Sequence, residues 1–492
     1  MAFSEIANRA RVACMNRTVS AGRVAALVGD FDRSPAYAGL ADALVLLIGD
    51  GRIALDTRLP SERELTEALG LSRTTVTRAY TALREAGYAE ARRGSGTFTR
   101  VPGGPARAHD RALLPRPGDD EAIDLNCAAP SAPAGLAKAY AEAAAELPAY
   151  LGGHGYFPAG LPQLQQAIAA TYEARGLPTA PDQIMVTPGA LSAASIVAQA
   201  FTSPGDRVLV ESPVYPNAID ALRHGGARLT PVPVDPEGWD LPAVGAALRQ
   251  TAPRLAYLIA DFQNPTGHLM TEAQREEYAG HLRRAHTTAI VDEAHQWLPL
   301  EGQDMPRPFA AYAPDTITIG SASKGFWGGL RLGWMRVPPG RMDRLTQARV
   351  SMDLGAPVME QLVLVRLLAE ADEVLAANRA RLRAQRDALV AAVRAQLPEW
   401  TFRVPSGGLA LWCRLPAASG SAVAAEAERL GVIIPPGPVF AVEGGLDRFV
   451  RIPWTRPAED LVDGVARLAE AWAVVRERPA SGPGVSGRVM VA

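Results

Sequence analysis

Lysine is scarce in this chain of 492 residues, and nearly all of its positive charge is arginine. Cysteine is scarce too. Cys14, Cys127 and Cys413 are too widely spaced for a disulfide framework or a zinc knuckle, so no metal site and a reducing cytoplasm are expected. No apolar run reaches the roughly 18 residues of a membrane span. No apolar core follows a basic start, so no signal peptide is expected either. A net charge of −2 excludes a chain that is basic throughout, and any nucleic-acid contact must come from a local patch. No internal repeat is present. The first 14 residues carry no clear pattern, and Met15 is a second candidate start. What the chain does have is apolar content, 48%, enough for large cores, at a length that suggests roughly two to four domains.

Composition and periodicity divide the chain. Residues 1–34 read as an N-terminal extension. Residues 35–100 are dense in helix signals and end in a short hairpin. Residues 101–121, rich in Pro, Gly and charge, read as a linker. From 122 to 477, short apolar runs ("QIMVT", "RVLVE", "RLAYLIA", "TAIVD", "TITIG") alternate with helical stretches, which predicts a mostly parallel sheet covered by helices. Within this part, about 360–477 reads as a smaller C-terminal α+β subdomain, with long helices around the strand-like "GGLALWCRL". Residues 478–492 read as a disordered tail.

In "LPSERELTEALGLSRTTVTRAYTALREAGY", Ser61 and Glu64 form a capping box, Gly70 ends the first helix, and Ser72 caps a second one at once. This is a helix-turn-helix. On the second helix Val76, Ala79, Tyr80 and Leu83 follow core spacing, while Thr74, Thr77, Arg78 and Thr81 fall on the opposite face. Hydroxyls beside arginine suit base edges and phosphates in a major groove. "YAEARRGSGTFTR" then predicts a two-stranded wing with Arg92 and Arg93 at its tip. An ordinary helical hairpin with a solvated arginine face is the bland alternative. The whole run resembles the GntR-type winged helix. That resemblance implies binding to a double-stranded DNA operator through Arg63, Ser72, Arg73, Thr74, Thr75, Arg93 and Gly94. An arginine that some relatives carry aligns with Thr77, and Arg78 beside it is the candidate substitute.

Lys324 closes the strand-like "TITIGSASK". A buried lysine costs desolvation unless it is neutral or bonded. A Schiff base to an aldehyde cofactor removes that problem and gives the amine a role. Other segments fit. "TPGALSA" aims the N–H groups of Gly189, Ala190 and Leu191 at a phosphate, and Arg331 pairs the same phosphate. "ESPVYP" offers Tyr215 as a flat face for a ring, "NPTG" places Asn264 as a donor to a phenolic oxygen, and "VDEAH" places Asp292 to hold a pyridinium proton. All lie at C-terminal strand ends, where open α/β sheets bind ligands. Singly, each has a bland reading as a turn, a helix cap or a packed aromatic.

Together and in this order these segments resemble the fold-type I aminotransferases that bind pyridoxal 5′-phosphate. The resemblance implies an internal aldimine at Lys324 and a phosphate cup completed by Ser321, Ser323 and Arg331. It also implies Tyr156 reaching the neighbouring subunit's phosphate in a homodimer, and Arg451 gripping an effector carboxylate. One departure stands out. His295 occupies the place of a tyrosine that bonds the phenolic oxygen. Imidazole can donate to the same oxygen, with a charge that depends on pH; alternatively, His295 caps the following turn. The order of winged helix, linker and aminotransferase-like domain resembles the MocR (GabR-like) subfamily of GntR-type transcriptional regulators. This implies a regulator that can retain a residual aminotransferase half-reaction; the alternative is a catalytically active pyridoxal-phosphate aminotransferase with an accessory DNA-binding module. The implied effector is pyridoxal phosphate or a small amino compound.

Overall fold

Short-range signals dictate the elements at the front of the chain. The computed structural model describes residues 17–102, 122–235 and 237–477. Residues 103–121 of the expected linker 101–121, the tail 478–492, Met15 and Cys14 lie outside the described residues. The chain separates into two units, one holding the N-terminal residues together with Ala134–Ala141, the other the remainder.

In the first unit, helices α1 (Ala21–Val28), α2 (Ala36–Gly49), α3 (Glu62–Leu69) and α4 (Arg73–Glu85) surround one core. Ser61 accepts from the Glu64 N–H at 3.3 Å while the Glu64 carboxylate accepts from the Ser61 N–H at 2.8 Å, so both halves of the capping box form. Gly70 ends α3 at φ 62°, a left-handed conformation that a side chain would strain, and Ser72 caps α4 through the Thr75 N–H. Val76, Ala79, Tyr80 and Leu83 are buried as their spacing predicts. Each fully buried Val or Leu contributes about 1.5–3 kcal/mol. Strands β1 (Arg17–Thr18), β2 (Thr57–Arg58), β3 (Ala89–Arg92) and β4 (Gly96–Thr99) make a small sheet, with β3 and β4 forming the antiparallel wing. The stretch 1–34, expected as an extension, instead contributes α1. Its Val24 and Val28 are buried in the same core.

In the second unit, strand β5 (Ile123–Asp124) precedes an eight-stranded sheet. Its strands are β6 (Ile184–Thr187), β7 (Arg207–Ser212), β8 (Arg228–Asp235), β9 (Gly238–Trp239), β10 (Leu255–Leu258), β11 (Thr288–Asp292), β12 (Ile317–Ser321) and β13 (Gly333–Arg336). The spatial order is β6-β13-β12-β11-β10-β7-β8-β9, parallel from β12 through β8, with β13 antiparallel to both neighbours. Alternate side chains enter two different cores. Leu255, Tyr257 and Ile290 pack with Ala193, Ile196 and Val197 of helix α5 (Ala190–Phe201), whereas Ala256, Leu258, Ala289 and Val291 pack with Val244, Leu248, Tyr278 and Leu282. Burial on both faces is why these strands read as continuous apolar runs. A third core joins the C-terminal helices to strands β14 (Ala410–Arg414) and β16 (Phe449–Pro453). Strand β5, the first of this unit, pairs here with β15 (Val432–Ile433), a long-range pairing that no local signal announces. The parallel strands all end on one edge, and the loops leaving that edge build the pocket described next.

Candidate functional site

A cavity of about 310 Å³ opens at the C-terminal ends of β6, β7, β10, β11 and β12, lined among others by Gly189, Ala190, Leu191, Tyr215, Asn264, Asp292, His295, Ser321, Ser323, Lys324 and Arg331. Residues far apart in the sequence therefore meet in one place. The Lys324 ammonium donates to the Ala128 carbonyl at 3.0 Å, and burial pulls it down to about 8. Such an amine is a usable nucleophile near neutral pH.

Asp292 accepts from the Tyr257 hydroxyl at 2.7 Å and from the Ala294 N–H at 2.9 Å. Burial raises its carboxyl above the ordinary range, and these two donors and the Lys324 charge work against that shift. A buried carboxylate with fixed donors is suited to receive a hydrogen from a cationic ring nitrogen. Tyr215 accepts from the Asn217 amide at 2.8 Å, and burial raises its phenol to about 12. Asn264 accepts on Oδ1 from Arg451 at 3.2 Å, which leaves its NH₂ as the donor.

At the opposite end, α5 begins at Ala190 just after Gly189, whose φ is 94°. A Cβ on Gly189 would lie 3.1 Å from an Arg331 guanidinium nitrogen, and one on Gly333 would lie 2.5 Å from the Gly189 carbonyl carbon. Glycine at these two points lets an arginine and a helix N-terminus converge, which is a cradle for an anion. Ser321 is buried there and its hydroxyl accepts from the Ser323 N–H at 3.1 Å. An aldehyde-bearing aromatic phosphate matches this set: an amine, a carboxylate for a ring nitrogen, an amide donor and an anion cradle.

Arg451 is 0% exposed, donates to the Asn126 carbonyl, and lies 5.1 Å from the centre of the Phe440 ring. Its Nε has no hydrogen-bond partner among the described residues. Burial pulls the guanidinium down to about 10. Tyr156 is 57% exposed, stacks on His154 at 5.7 Å and stands outside the cavity lining of its own chain.

His295 departs from its expectation. Its Nδ1 lies 2.9 Å from the Phe262 carbonyl oxygen, and burial pushes the imidazole down to about 4. It is neutral at physiological pH, and its one hydrogen is already used. It does not cap the following turn through that nitrogen.

Several participants carried no recognisable motif. Tyr257 sits in a strand whose residues are all buried, so its hydroxyl is disclosed only by the parallel register of β10 and β11. Glu211 accepts from Trp239 at 2.6 Å, from the Ile259 N–H at 3.2 Å and from Gln263 at 3.1 Å. Gln263 also donates to the Pro213 carbonyl at 2.7 Å, which ties the loop of Tyr215 to that of Asn264. Cys127 lines the cavity, half-buried.

On the first unit, Arg63, Ser72, Arg73, Thr74, Arg93 and Gly94 are exposed and Thr75 is half-buried. Ser72 and Thr75 hydroxyls pair with each other at 2.8 Å. Two further candidates have partners within the unit. The Thr77 hydroxyl donates to Glu62 at 2.6 Å, and the Arg78 guanidinium carbon lies over the Tyr37 ring, 3.7 Å from its centre. Thr77 is half-buried and Arg78 is exposed. Arg92 is likewise held by Asp56 and Glu90 at 2.7 and 2.6 Å, leaving Arg93 at the wing tip.

Comparison with known proteins agrees with this division. The family model for aminotransferase class I and II matches residues 121–468, and that for bacterial regulatory proteins of the gntR family matches residues 36–99. The chain is 33% identical over 302 residues to a 2-aminoadipate transaminase of Thermus thermophilus, covering 59% of this chain and 75% of that protein. It is 30% identical over 339 residues to the probable rhizopine catabolism regulatory protein MocR of Rhizobium meliloti, covering 63% and 66% of the two. The solved α-aminoadipate aminotransferase LysN of Thermus thermophilus, complexed with N-(5′-phosphopyridoxyl)-L-leucine, superposes with a TM-score of 0.67 at 30% identity, over 72% of this chain and 93% of that one. Among the described residues, no helix is long and apolar enough to cross a membrane.

Proposed function

We infer the function from the order of the modules: the chain belongs to the class I and II aminotransferase family and, with a gntR-family module ahead of that domain, is a MocR-type transcriptional regulator. It binds DNA through the front module and takes pyridoxal 5′-phosphate as its cofactor. The observation that carries this reading is the buried amine of Lys324, set at a strand end opposite an anion cradle and beside a buried carboxylate.

When bound, pyridoxal phosphate supplies an aldehyde that condenses with amines and an electron-withdrawing ring. Lys324 would hold it covalently. The N–H groups after Gly189, with Ser321, Ser323 and Arg331, would hold its phosphate. Asp292, with the Tyr257 hydroxyl and the Ala294 N–H donating to it, would hold a proton on the ring nitrogen. Tyr215 would cover one ring face, and the Asn264 amide would donate to the ring oxygen. In a cytoplasmic homodimer, Tyr156 would reach the neighbouring subunit's cradle. The DNA face would consist of Arg63, Ser72, Arg73, Thr74, Thr75, Arg93 and Gly94.

The effector is pyridoxal phosphate itself or an amino compound bearing a carboxylate. Arg451 supports the second, because a buried cation with no ion pair among the described residues gains most from an anionic partner. The completeness of the pocket also favours a second reading in which a residual aminotransferase half-reaction persists. Regulation requires that ligand bind two states of the protein differently. The test is the affinity of apo-protein, loaded protein and loaded protein with amino acids for a duplex that the protein itself selects from a random pool. A change of several-fold with ligand is expected. Equal affinities in all three states would remove the sensor reading.

A further inference from the structure

His295 stands on the wall of the same cavity, three residues past Asp292. A carbonyl oxygen only accepts, so the 2.9 Å contact with Phe262 places a hydrogen on Nδ1. A singly protonated imidazole then carries a lone pair on Nε2. Lys324, from beyond β12, and Arg451, on β16, face the ring as cations and oppose a second proton. Asp261, from beyond β10, favours one but is itself held by Arg175 and Arg275 at 3.4 and 2.5 Å. Burial outweighs it and keeps the ring neutral across the physiological range. Asn264 complements this arrangement. Its Oδ1 is engaged by Arg451, so its amide faces a ligand as a donor.

We propose that His295 is a specificity-determining residue whose Nε2 lone pair accepts a hydrogen bond from the ring hydroxyl of bound pyridoxal phosphate, so that the pocket selects the protonated form of that oxygen. This rests on the reading of the cavity as a pyridoxal-phosphate site. A hydroxyl can accept from Asn264 and donate to His295 together. A deprotonated oxygen can use only Asn264 and meets the His295 lone pair with repulsion. A tyrosine at this position would donate instead and favour the deprotonated oxygen.

Pyridoxal phosphate is added to the full-length protein and to its His295→Phe and His295→Tyr variants, and the pH midpoint of the visible absorbance change is measured. The proposal orders the midpoints as wild type above His295→Phe above His295→Tyr, with about one pH unit or more between the extremes. A wild-type midpoint below that of His295→Phe would show that the imidazole donates, and would overturn the proposal while leaving the pocket assignment intact. Absence of any ligand absorbance in the wild type would overturn both. Should the variants not fold, the nitrogen-15 spectrum of histidine-labelled wild-type protein decides: one hydrogen-bearing Nδ1 and one bare Nε2 are expected, and a hydrogen on Nε2 refutes the proposal.

Discussion

Replacing Tyr257 by phenylalanine removes one oxygen from a buried place without changing the shape of the ring that packs beside Ile290. The lost bond is the 2.7 Å donation from the Tyr257 hydroxyl to Asp292. Asp292 is already raised by burial, and Tyr257 is one of the two donors that restrain it, the other being the Ala294 N–H. A hydrogen bond to a charged group contributes about 1.5–3 kcal/mol. Its loss leaves burial less opposed and raises the carboxyl further. A protonated Asp292 cannot receive a hydrogen from a cationic ring nitrogen, so cofactor affinity should fall, by up to roughly ten- to a hundredfold where the full bond energy is lost, and recover as pH rises. The assay is titration of apo-protein with pyridoxal phosphate, followed by absorbance over a pH series, with thermal unfolding as a check on the fold. An affinity within about threefold of wild type at every pH would refute the role given to this pair.

Other outcomes follow from the same geometry. Arg73→Ala should weaken binding to the selected duplex by about 1–3 kcal/mol if the side chain reads a base; equal losses on selected and random DNA would reduce it to a phosphate contact. Arg78→Ala should leave the discrimination between those duplexes unchanged, because its guanidinium rests on Tyr37, and should instead lower the unfolding midpoint of the front unit by the equivalent of about 0.5–1 kcal/mol. The rate at which apo-protein takes up pyridoxal phosphate should rise about tenfold per pH unit and level off above about 8, where the Lys324 amine has lost its proton. Uptake that climbs steadily to pH 10 would contradict the depressed amine.

What the sequence disclosed was what short spacing controls. Ser61, Gly70 and Ser72 announce their helix ends because caps act within three or four residues. The loops bearing Gly189, Tyr215, Asn264, Asp292 and Lys324 were legible because each follows an apolar run that had to be a buried strand. What stayed hidden depends on distant partners. Arg78 rests on Tyr37, which belongs to a different helix. The tautomer of His295 is decided by a carbonyl on the neighbouring loop, which no side-chain pattern encodes. Helix α1 escaped because it is only 8 residues long and is stabilised by tertiary packing of Val24 and Val28 rather than by propensity.

Every role given to the pocket depends on Lys324 being where the cofactor attaches. The most direct measurement is the visible spectrum of purified wild-type and Lys324→Ala protein after incubation with excess pyridoxal phosphate and removal of the unbound compound. Wild type should retain a yellow chromophore, and Lys324→Ala, still folded, should be colourless. A colourless wild type, or a variant that keeps the wild-type spectrum, would contradict it.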